Sequence, residues 1–541
     1  MRGRGLAMMA TALTAAGLAL SAPARAAHDA DDHSPNARLA ASLKLGGLGD
    51  LAFSGDLAVA SQFVFDDGAT HGFSVIDVSD PAAPRELRRF ACPGAGWDVS
   101  MWGDLVFLST DQYTPSLEGT CGSAPGTGFQ GIKIVSLDDP LNPVSVGAVA
   151  MPCSGSHNNT VLPDPARNRV LLYAASSDFA DRYPGEGCDA IVSVPLDAPQ
   201  NAEVIKAMPS DELEACHDFA VHVQRKLLAG GCNSELRLFD ISDPESPRLL
   251  STFTNPLEAF QHSVGFSEDG SVLISGEETA QSTEGGCTGG TPSPHGAIWF
   301  HDIENPAIPV LRGYHQVGQG FEAPNFAAPG CSVHNFAIVP TKGDRDVLTA
   351  GWYSGGMSVV DFTDPAAAVE VAHYLPDQRD PATRAHYWAA YWYRGHVYAT
   401  NTFETERKAL DVFRVEDPAI GETFRLAHLN PQTVESFADA PAGAQPGASA
   451  GPSPSSPPGG QSGTPPSSCR PSPARLRIRG ARRILRADLL RGGRRVRHLR
   501  VRGREVRLNL RGVSPGAYRV RVRYRGRGTR VRTVSRRVTV C

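Results

Sequence analysis

The sequence lacks features that would assign it at once to several large functional classes. After the N-terminal segment it contains no second long apolar run, which excludes a protein with several membrane-spanning helices. It contains no Walker A loop and no H-E-x-x-H motif, so it offers no support for phosphate-loop nucleotide chemistry or for a zinc protease. It also has no C-x-x-C pair, and a thiolate metal site is therefore not indicated.

A strong net charge is also missing, but the small total hides two opposed segments. The formal net charge of the 541 residues is −5, which by itself indicates no preference for nucleic acid. Residues 469–541 contain 25 Arg, no Lys and only Asp488 and Glu505 as acids, a net charge of +23. The remainder has 27 basic and 55 acidic residues, a net charge of −28. The chain is therefore better described as an acidic body joined to a basic one.

The two ends of the sequence predict segments outside the main fold. Residues 1–26 combine two arginines, an apolar stretch and a small-x-small cleavage site ending at Ala26, which is typical of a secretory signal peptide. An uncleaved anchor helix is the alternative, although the stretch is short and Ala-rich. Residues 436–468 consist almost wholly of Pro, Gly, Ala and Ser, the composition of a linker. We therefore expect a secreted protein whose linker isolates a final module, residues 469–541.

One phrase occurs seven times between these ends. Each copy starts with alternating apolar residues, which predicts a β-strand. Each ends in Asp-Pro, Asn-Pro or a close variant, which predicts a turn because the Asx side chain caps it and Pro fixes φ. The copies are Ile76–Pro81, Val135–Pro140, Val194–Pro199, Phe239–Pro244, His301–Pro306, Val360–Pro365 and Phe413–Pro418. Further short strands precede and follow most copies, so each repeat contains four predicted strands.

Four strands in each of seven repeats predict an all-β fold, a seven-bladed β-propeller over residues 37–432. Radial closure hides the sheet edges, which would otherwise invite aggregation. We expect the segment 38–45 to supply the outer strand of the last blade and so to latch the ring. A row of β-sandwiches is the alternative, but that fold would not require a fixed phrase.

The repeated phrase resembles the LVIVD repeat, which is found in secreted bacterial seven-bladed propellers. Residues Gly131–Pro140 and Gly356–Pro365 carry the resemblance best. The resemblance implies a propeller fold over roughly residues 37–432. It implies little about activity, because propellers host unrelated functions.

A histidine stands just before the first predicted strand of five repeats. These histidines are His157, His217, His262, His334 and His386, while Gly49 and Trp97 hold the position in the first two repeats. Because the first strand of each blade lines the channel of a propeller, equivalent positions surround its axis, and imidazole is a leading ligand for Zn, Cu and Fe. The sequence predicts either a transition-metal site on the axis or histidines that hydrogen-bond within their own blades. The polar residues that follow them fit a repeated turn-capping role, and catalytic residues are not indicated.

The ten cysteines are an even number, and in an exported chain they predict disulfides. Eight lie in the predicted propeller, where many pairings are open. Of these we predict Cys287 with Cys331, because that pair would clamp the long loop of the fifth repeat. Cys469 and Cys541 bracket the final module and are predicted to bond, a cross-link that stabilises by about 4 kcal/mol on loop-entropy grounds.

The final module alternates Arg with Val, Leu or Ile, as in an antiparallel sheet with one buried and one charged face. We expect a small immunoglobulin-like β-sandwich in which Arg519, Arg521, Arg523 and Arg525 bind anions, since Arg pairs bidentately with phosphate and carboxylate. The anion could be a cell-wall polymer, a membrane surface, DNA or the acidic propeller itself. Secretion favours an envelope polymer over DNA, and no specific nucleic acid is expected.

Together these features predict a secreted, monomeric binding or scaffold protein, with room for a protein ligand on the propeller face. Its basic module would tether it to anionic cell-envelope material. The alternative is a metal-dependent, oxidoreductase-like enzyme that holds Cu, Fe or Zn with the axial histidines.

Overall fold

The structure, a computed structural model, describes eighteen segments of the chain. They are residues 31–62, 72–92, 98–110, 129–151, 155–176, 188–209, 215–258, 260–278, 295–318, 331–377, 384–402, 407–437, 475–477, 483–491, 494–502, 505–507, 516–525 and 531–540. The predicted signal peptide, nearly all of the predicted linker, Cys287, Cys469 and Cys541 lie outside these segments. Among the described residues no helix has the length and apolar character needed to cross a membrane.

The described chain is built almost wholly from β-strands, and the all-β prediction is confirmed. Two strands, β1 (Asp32–His33) and β2 (Ala37–Lys44), precede the repeats. The strands of the first four units are β3 Leu48–Ser54, β4 Leu57–Gln62, β5 Gly72–Asp77, β6 Arg85–Ala91; β7 Val99–Trp102, β8 Leu105–Thr110, β9 Gly131–Ser136, β10 Val144–Ala150; β11 Asn158–Asp164, β12 Arg169–Ala175, β13 Cys188–Pro195, β14 Glu203–Pro209; and β15 Asp218–His222, β16 Leu227–Cys232, β17 Glu235–Asp240, β18 Arg248–Phe253. Those of the last three are β19 Gln261–Phe266, β20 Val272–Glu277, β21 Ile298–Asp302, β22 Val310–His315; β23 Asn335–Ile338, β24 Val347–Gly351, β25 Met357–Asp361, β26 Val369–Leu375; and β27 Tyr387–Tyr393, β28 His396–Asn401, β29 Ala409–Val415. The third unit also contains two single turns of 3-10 helix, Pro165–Arg167 between β11 and β12 and Pro199–Asn201 between β13 and β14.

Each unit is an antiparallel meander, so its strands pair in chain order. The first strand of every unit contacts the first strand of the next, and β27 returns to contact β3. Aromatic side chains fill the wedges between neighbouring units. Phe53 stacks on Tyr393 with ring centroids 4.5 Å apart, and Phe300 stacks on Phe362 at 5.1 Å. This radial arrangement is a β-propeller-type fold, with the first strands surrounding a common axis.

The seventh unit takes its outer strand from the beginning of the chain. Strand β2 pairs antiparallel with β29, from Ala37 opposite Val415 to Lys44 opposite Ala409. The inward residues of β2 are apolar, and Leu39 and Leu43 pack against the core on either side. The predicted latch is therefore confirmed, and strand β1 extends the sixth unit in the same way by pairing with β26.

The repeated phrase folds as the third strand and the turn that ends it. In the first unit the Asp77 carboxylate accepts a hydrogen bond from the Ser79 N–H (2.9 Å), and the Asp80 carboxylate accepts one from the Ala82 N–H (3.0 Å). The third strand of that unit begins at Gly72, whose φ of +134° favours glycine. A Cβ at Gly72 would lie 1.9 Å from the carbonyl oxygen of Phe90, so the neighbouring strand requires glycine here.

After the seventh unit the chain crosses the ring at the far end of the first strands. This closing segment, residues 422–434, contains the short strands β30 (His428–Leu429) and β31 (Thr433–Val434), which pair with β3 and β15. Between them the Asn430 side chain bonds both backbone groups of Met101, each at 2.8 Å. The closing segment therefore ties together units from both sides of the axis.

The final module forms two sheets. Its strands are β32 Arg475–Arg477, β33 Arg483–Arg491, β34 Arg494–His498, β35 Arg500–Arg502, β36 Glu505–Arg507, β37 Gly516–Arg525 and β38 Val531–Val540. The sheet orders are β32-β36-β35 and β34-β33-β37-β38, and residues of both sheets, including Leu489, Val506 and Val520, form one buried cluster. The predicted small antiparallel β-module is therefore present, while its relation to immunoglobulin domains stays a prediction.

A disulfide joins Cys216 to Cys232 at the axial side of the fourth unit. The sequence analysis did not single out this pair. Cys92 and Cys331 are also disulfide-bonded. The pairings of Cys287 with Cys331 and of Cys469 with Cys541 therefore stay predictions.

Candidate metal centre on the ring axis

Four of the predicted histidines converge near the axis. The ring centroids of His157 and His217 are 4.3 Å apart, those of His217 and His262 4.0 Å, and those of His262 and His334 4.2 Å. Each of these side chains is at most 5% exposed. We call this set the histidine arc. It draws one side chain from each of the third to sixth units, which the contacts between their first strands hold side by side.

A carboxylate completes the arc. Glu278 follows β20, and its Oε2 lies 3.5 Å from His262 Nε2 while its Oε1 lies 3.8 Å from His334 Nε2. Three ligand atoms, one from each of His217, His262 and Glu278, lie within 4.8 Å of one another. This spacing suits a single ion. The Tyr353 hydroxyl donates a 2.6 Å hydrogen bond to Glu278 Oε1 and so fixes the carboxylate. Tyr353 itself has φ +46°, an uncommon conformation for a bulky residue and one often found at functional sites.

Three of the histidines, His217, His262 and His334, are held in the neutral form that metal ions require. Burial lowers the pKa of His334 to about 3, and it lowers the pKa of His217 and of His262 well below the usual value. His334 Nδ1 lies 2.9 Å from the carbonyl oxygen of Trp388. Because a carbonyl only accepts, Nδ1 carries the proton and Nε2 presents a lone pair toward Glu278. The arc can therefore ligate a cation without first losing protons.

The seventh unit places a tryptophan, not its histidine, beside the arc. In the parallel pairing of β23 with β27, Asn335 lies opposite Ala389, so Trp388 is the equivalent of His334. A bulge between Tyr387 and Ala389 shifts the register. The rings of Trp388 and His334 are 4.0 Å apart, whereas His386 stands two residues earlier and its N–H donates to the Asn401 side chain. His386 is thus offset from the register of the other four histidines, and its metal-binding role stays a prediction.

Oxygen-bearing side chains follow the histidines along the axis. They are Asp50, Asp98, Asn158, Asp218 and Asn335, all buried. All of them except Asp218 line one cavity together with the histidine arc and Trp388. The sequence analysis read these positions as turn caps, but several of them bridge neighbouring units. Asp98 accepts a 2.6 Å bond from the Asn159 N–H of the next unit. Burial raises the pKa of Asp218 to about 8 and that of Asp98 well above its usual value, the latter with a contribution from the charge of Asp50.

The predicted anion-binding arginines lie on one strand of the final module. Arg519, Arg521, Arg523 and Arg525 alternate along β37 with Val520, Val522 and Tyr524. Val520 and Val522 are fully buried and Arg523 is exposed, as the alternation predicts, whereas Arg521 is mostly buried and pairs with Glu304 of the propeller. The side chains of Arg519 and Arg525 lie outside the described part of the module.

The sequence of the first unit connects the chain to a known repeat. Residues 54–91 match the sequence profile of the LVIVD repeat. The chain contains an LVIVD repeat. The LVIVD match covers β4 to β6 with the first phrase and its turn, and the resemblance seen in the sequence is thereby confirmed. No curated protein matches the chain significantly.

Solved structures resemble the chain only distantly. A protein from Bacteroides uniformis provisionally assigned as a 6-phosphogluconolactonase is 10% identical, with a TM-score of 0.46 and coverage of 69% of this chain and 94% of its own. A protein from Lactobacillus plantarum is 12% identical, with a TM-score of 0.45 and coverage of 71% and 96%. A protein of unknown function from Desulfotomaculum acetoxidans is 11% identical, with a TM-score of 0.38 and coverage of 60% and 85%. These likenesses are too remote to bear on activity.

Sequence reasoning missed two contributors to the candidate centre. Glu278 stands next to Glu277 after a strand and outside the repeated register, a position that is typical of solvated loop carboxylates. The structure separates the two, because Glu277 is turned inward and accepts the Gly296 N–H at 2.9 Å while Glu278 faces the arc. Tyr353 gave no signal at all, since its role depends on a left-handed turn between β24 and β25.

Proposed function

We propose that the protein is a secreted seven-bladed β-propeller that binds one transition-metal ion at the histidine arc. The observation that carries the proposal is the convergence of four buried imidazoles and one carboxylate from neighbouring units. Seven four-stranded units with mutual contacts of their first strands support the blade number. The N-terminal composition and the Cys216–Cys232 disulfide support export, since disulfides persist in oxidising compartments.

The donor set suits Cu, Fe or Zn rather than a hard cation. Imidazole nitrogen is a favoured ligand for these ions, and a single carboxylate is compatible with each. A bound ion would supply Lewis-acid or redox chemistry at the axis, which is the oxidoreductase-like alternative to a pure binding role. His217, His262 and Glu278 would hold it, with His334 and His157 adjacent. Tyr353 would orient Glu278, and the Trp388 carbonyl would orient His334.

Elemental analysis of the purified protein tests this proposal. After expression with added Cu, Fe and Zn, we expect one equivalent of a transition metal in the natural protein. The His217→Ala, His334→Ala double variant should lose it while keeping the near-ultraviolet circular dichroism of a folded chain. The matched control is His301→Gln, which changes a buried histidine on β21 away from the arc. Natural protein that carries no stoichiometric metal under these conditions would refute the proposal.

The basic module supports a second role, attachment to anionic cell-envelope material. The observation is the net charge of +23 on a small module whose Val506, Val520 and Val522 are buried and whose described Arg486, Arg507 and Arg523 are exposed. Such a surface binds polyanions by releasing their counterions, so binding should weaken steeply with salt.

Sedimentation with purified cell walls tests the attachment. The full mature chain should co-sediment at low salt and be released as salt rises, whereas a chain ending at residue 468 should stay in solution. An Arg486→Gln, Arg507→Gln, Arg523→Gln variant should be released at lower salt, and a Lys206→Gln change on the propeller serves as the control. Binding that is unaffected by salt, or that the shortened chain retains, would contradict this role.

A further inference from the structure

One arginine of the basic module differs from its neighbour on the same strand. Arg521 and Arg523 stand two residues apart on β37, so they lie on the same face of the sheet, opposite the buried Val520 and Val522. Arg523 is exposed, whereas only 14% of the Arg521 side chain is exposed. The alternation of the strand predicts equal exposure for the two, so the burial of Arg521 has a separate cause.

That cause is a set of carboxylates on the fifth unit of the propeller. Arg521 pairs with Glu304, whose own side chain is 49% exposed. Burial lowers the pKa of the Arg521 guanidinium, and the charges of Asp269 and Asp302 oppose this by favouring its charged form. We call Asp269, Asp302 and Glu304 the acidic patch. The propeller therefore both covers Arg521 and supplies negative charge around it.

The acidic patch lies at the end of the propeller that the closing segment crosses. Asp269 stands in the turn between β19 and β20, while Asp302 and Glu304 stand where β21 ends. A backbone hydrogen bond of 2.9 Å joins these two turns. The first strands finish at this end, as the pairing of β31 with the last residues of β15 shows. Fully extended, residues 438–474 would span about 120 Å, so the chain that leaves the closing segment is long enough to bring the module here.

The two turns keep a surplus of negative charge. Arg312 donates a 3.2 Å hydrogen bond from Nε to the Asp302 carboxylate, and Arg225 of the fourth unit donates to backbone carbonyls of both turns. Glu268 adds a further acid next to Asp269. Four acidic side chains therefore stand against two arginines before the module is counted. The module, with its net charge of +23, is complementary to such a surface.

We propose that the acidic patch is the docking site for the basic module of the same chain, with Arg521 as its anchor. Of the four anions that the sequence leaves open for this module, the propeller is the one that Arg521 contacts. The linker makes docking intramolecular, and the resulting high effective concentration populates even a weak pairing. Because the pair is partly exposed, salt weakens it. Docking withholds Arg521 from outside polyanions and leaves Arg523 available to them.

Small-angle X-ray scattering of the full mature protein at low salt tests the docking. Glu304→Arg and Arg521→Glu should each increase the greatest dimension by about 20–30 Å, because the released module would move over the span of the predicted linker. The double variant restores the attraction with the charges exchanged, so it should recover the dimension of the natural protein. The matched control is Arg523→Glu, which makes the same change of charge at an exposed position on the same face and should leave the dimension unchanged.

The design keeps the result independent of folding and of the attachment role. Glu304 stands on an exposed turn, so Glu304→Arg gives a result even where Arg521→Glu does not fold. A natural protein that is already extended at low salt, a Glu304→Arg variant as compact as the natural protein, or a double variant that stays extended would overturn the inference. The measurement contains no envelope material. Failure to bind cell walls by a protein that shows these changes in scattering would therefore count against the attachment role alone.

Discussion

Removing the inward leucines of the latch strand should loosen the seventh unit selectively. Leu39 and Leu43 are partly buried on the inner face of β2, so their replacement by Ala costs less than the 2–5 kcal/mol of a fully buried leucine. About 1–2 kcal/mol for each gives about 3 kcal/mol for the pair. Since about 1.4 kcal/mol corresponds to a factor of ten, opening of β2 from β29 should become about a hundredfold more frequent.

Hydrogen exchange measured by mass spectrometry reads this opening directly. Amides of β29 bond to β2, so peptides covering 409–415 should exchange faster in the Leu39→Ala, Leu43→Ala variant, while peptides of the third unit keep their rates. The matched control is Arg38→Ala with Lys44→Ala, two exposed positions on the same strand, where changes should stay within about 0.5 kcal/mol. Equal exchange at 409–415 in the leucine variant and the natural protein would show that β2 does not hold the unit closed.

Three other outcomes follow from single contacts. Gly72→Ala should destabilise the protein by more than about 2 kcal/mol in urea unfolding, because the added Cβ would clash with the backbone of the neighbouring strand. Gly395→Ala is the control, since Gly395 also has a positive φ but no atom lies near its added Cβ, and it should cost only about 1 kcal/mol. Burial raises the pKa of Asp189 from its usual value of 3.8 to about 7. Between these two pH values the folded protein binds a proton that the unfolded chain has released. The free energy of unfolding therefore falls as the pH rises through this range to 7. Asp189→Asn should therefore flatten the loss of stability between pH 5 and 8, by about 1–3 kcal/mol, and an unchanged slope would refute this assignment. Asn430→Ala leaves the buried N–H and C=O of Met101 unpaired, so it should lower the free energy of unfolding by about 2 kcal/mol. It should also speed hydrogen exchange in the closing segment. Unchanged exchange there would contradict the role given to this side chain.

Local patterns in the sequence predicted the strands well, because the residues of each phrase are enough to start and end a strand. The alternation before Asp77 forms a strand and the Asx-Pro pair ends it, whatever the rest of the chain does. The latch was also predictable, since the segment 38–45 alternates and the last unit lacks an outer strand. The closing segment was not, because its two-residue strands are too short to show a period.

The candidate centre was predictable only in part, for a related reason. Four histidines stand at the same position relative to the start of their strands, and a repeated position of this kind can be recognised in a sequence. His386 broke the pattern because a bulge adds a residue, and a bulge depends on the pairing of two strands. Glu278 lies outside the repeated register, and Tyr353 reaches it from another unit. Contacts of that kind exist only once the ring has formed.

The closing segment makes the two ends of the ring unequal. It covers the end where the first strands finish, and Gln432 reaches from it toward Asp50, so among the described residues the axis is covered at this end and the histidine arc lies at the other. Phe437, the last described residue before the basic module, also lies at the covered end. If the basic module attaches the protein to a surface as we propose, the histidine arc would face away from the point of attachment. The closing segment would then determine how the propeller is oriented on a surface, as well as where it is held.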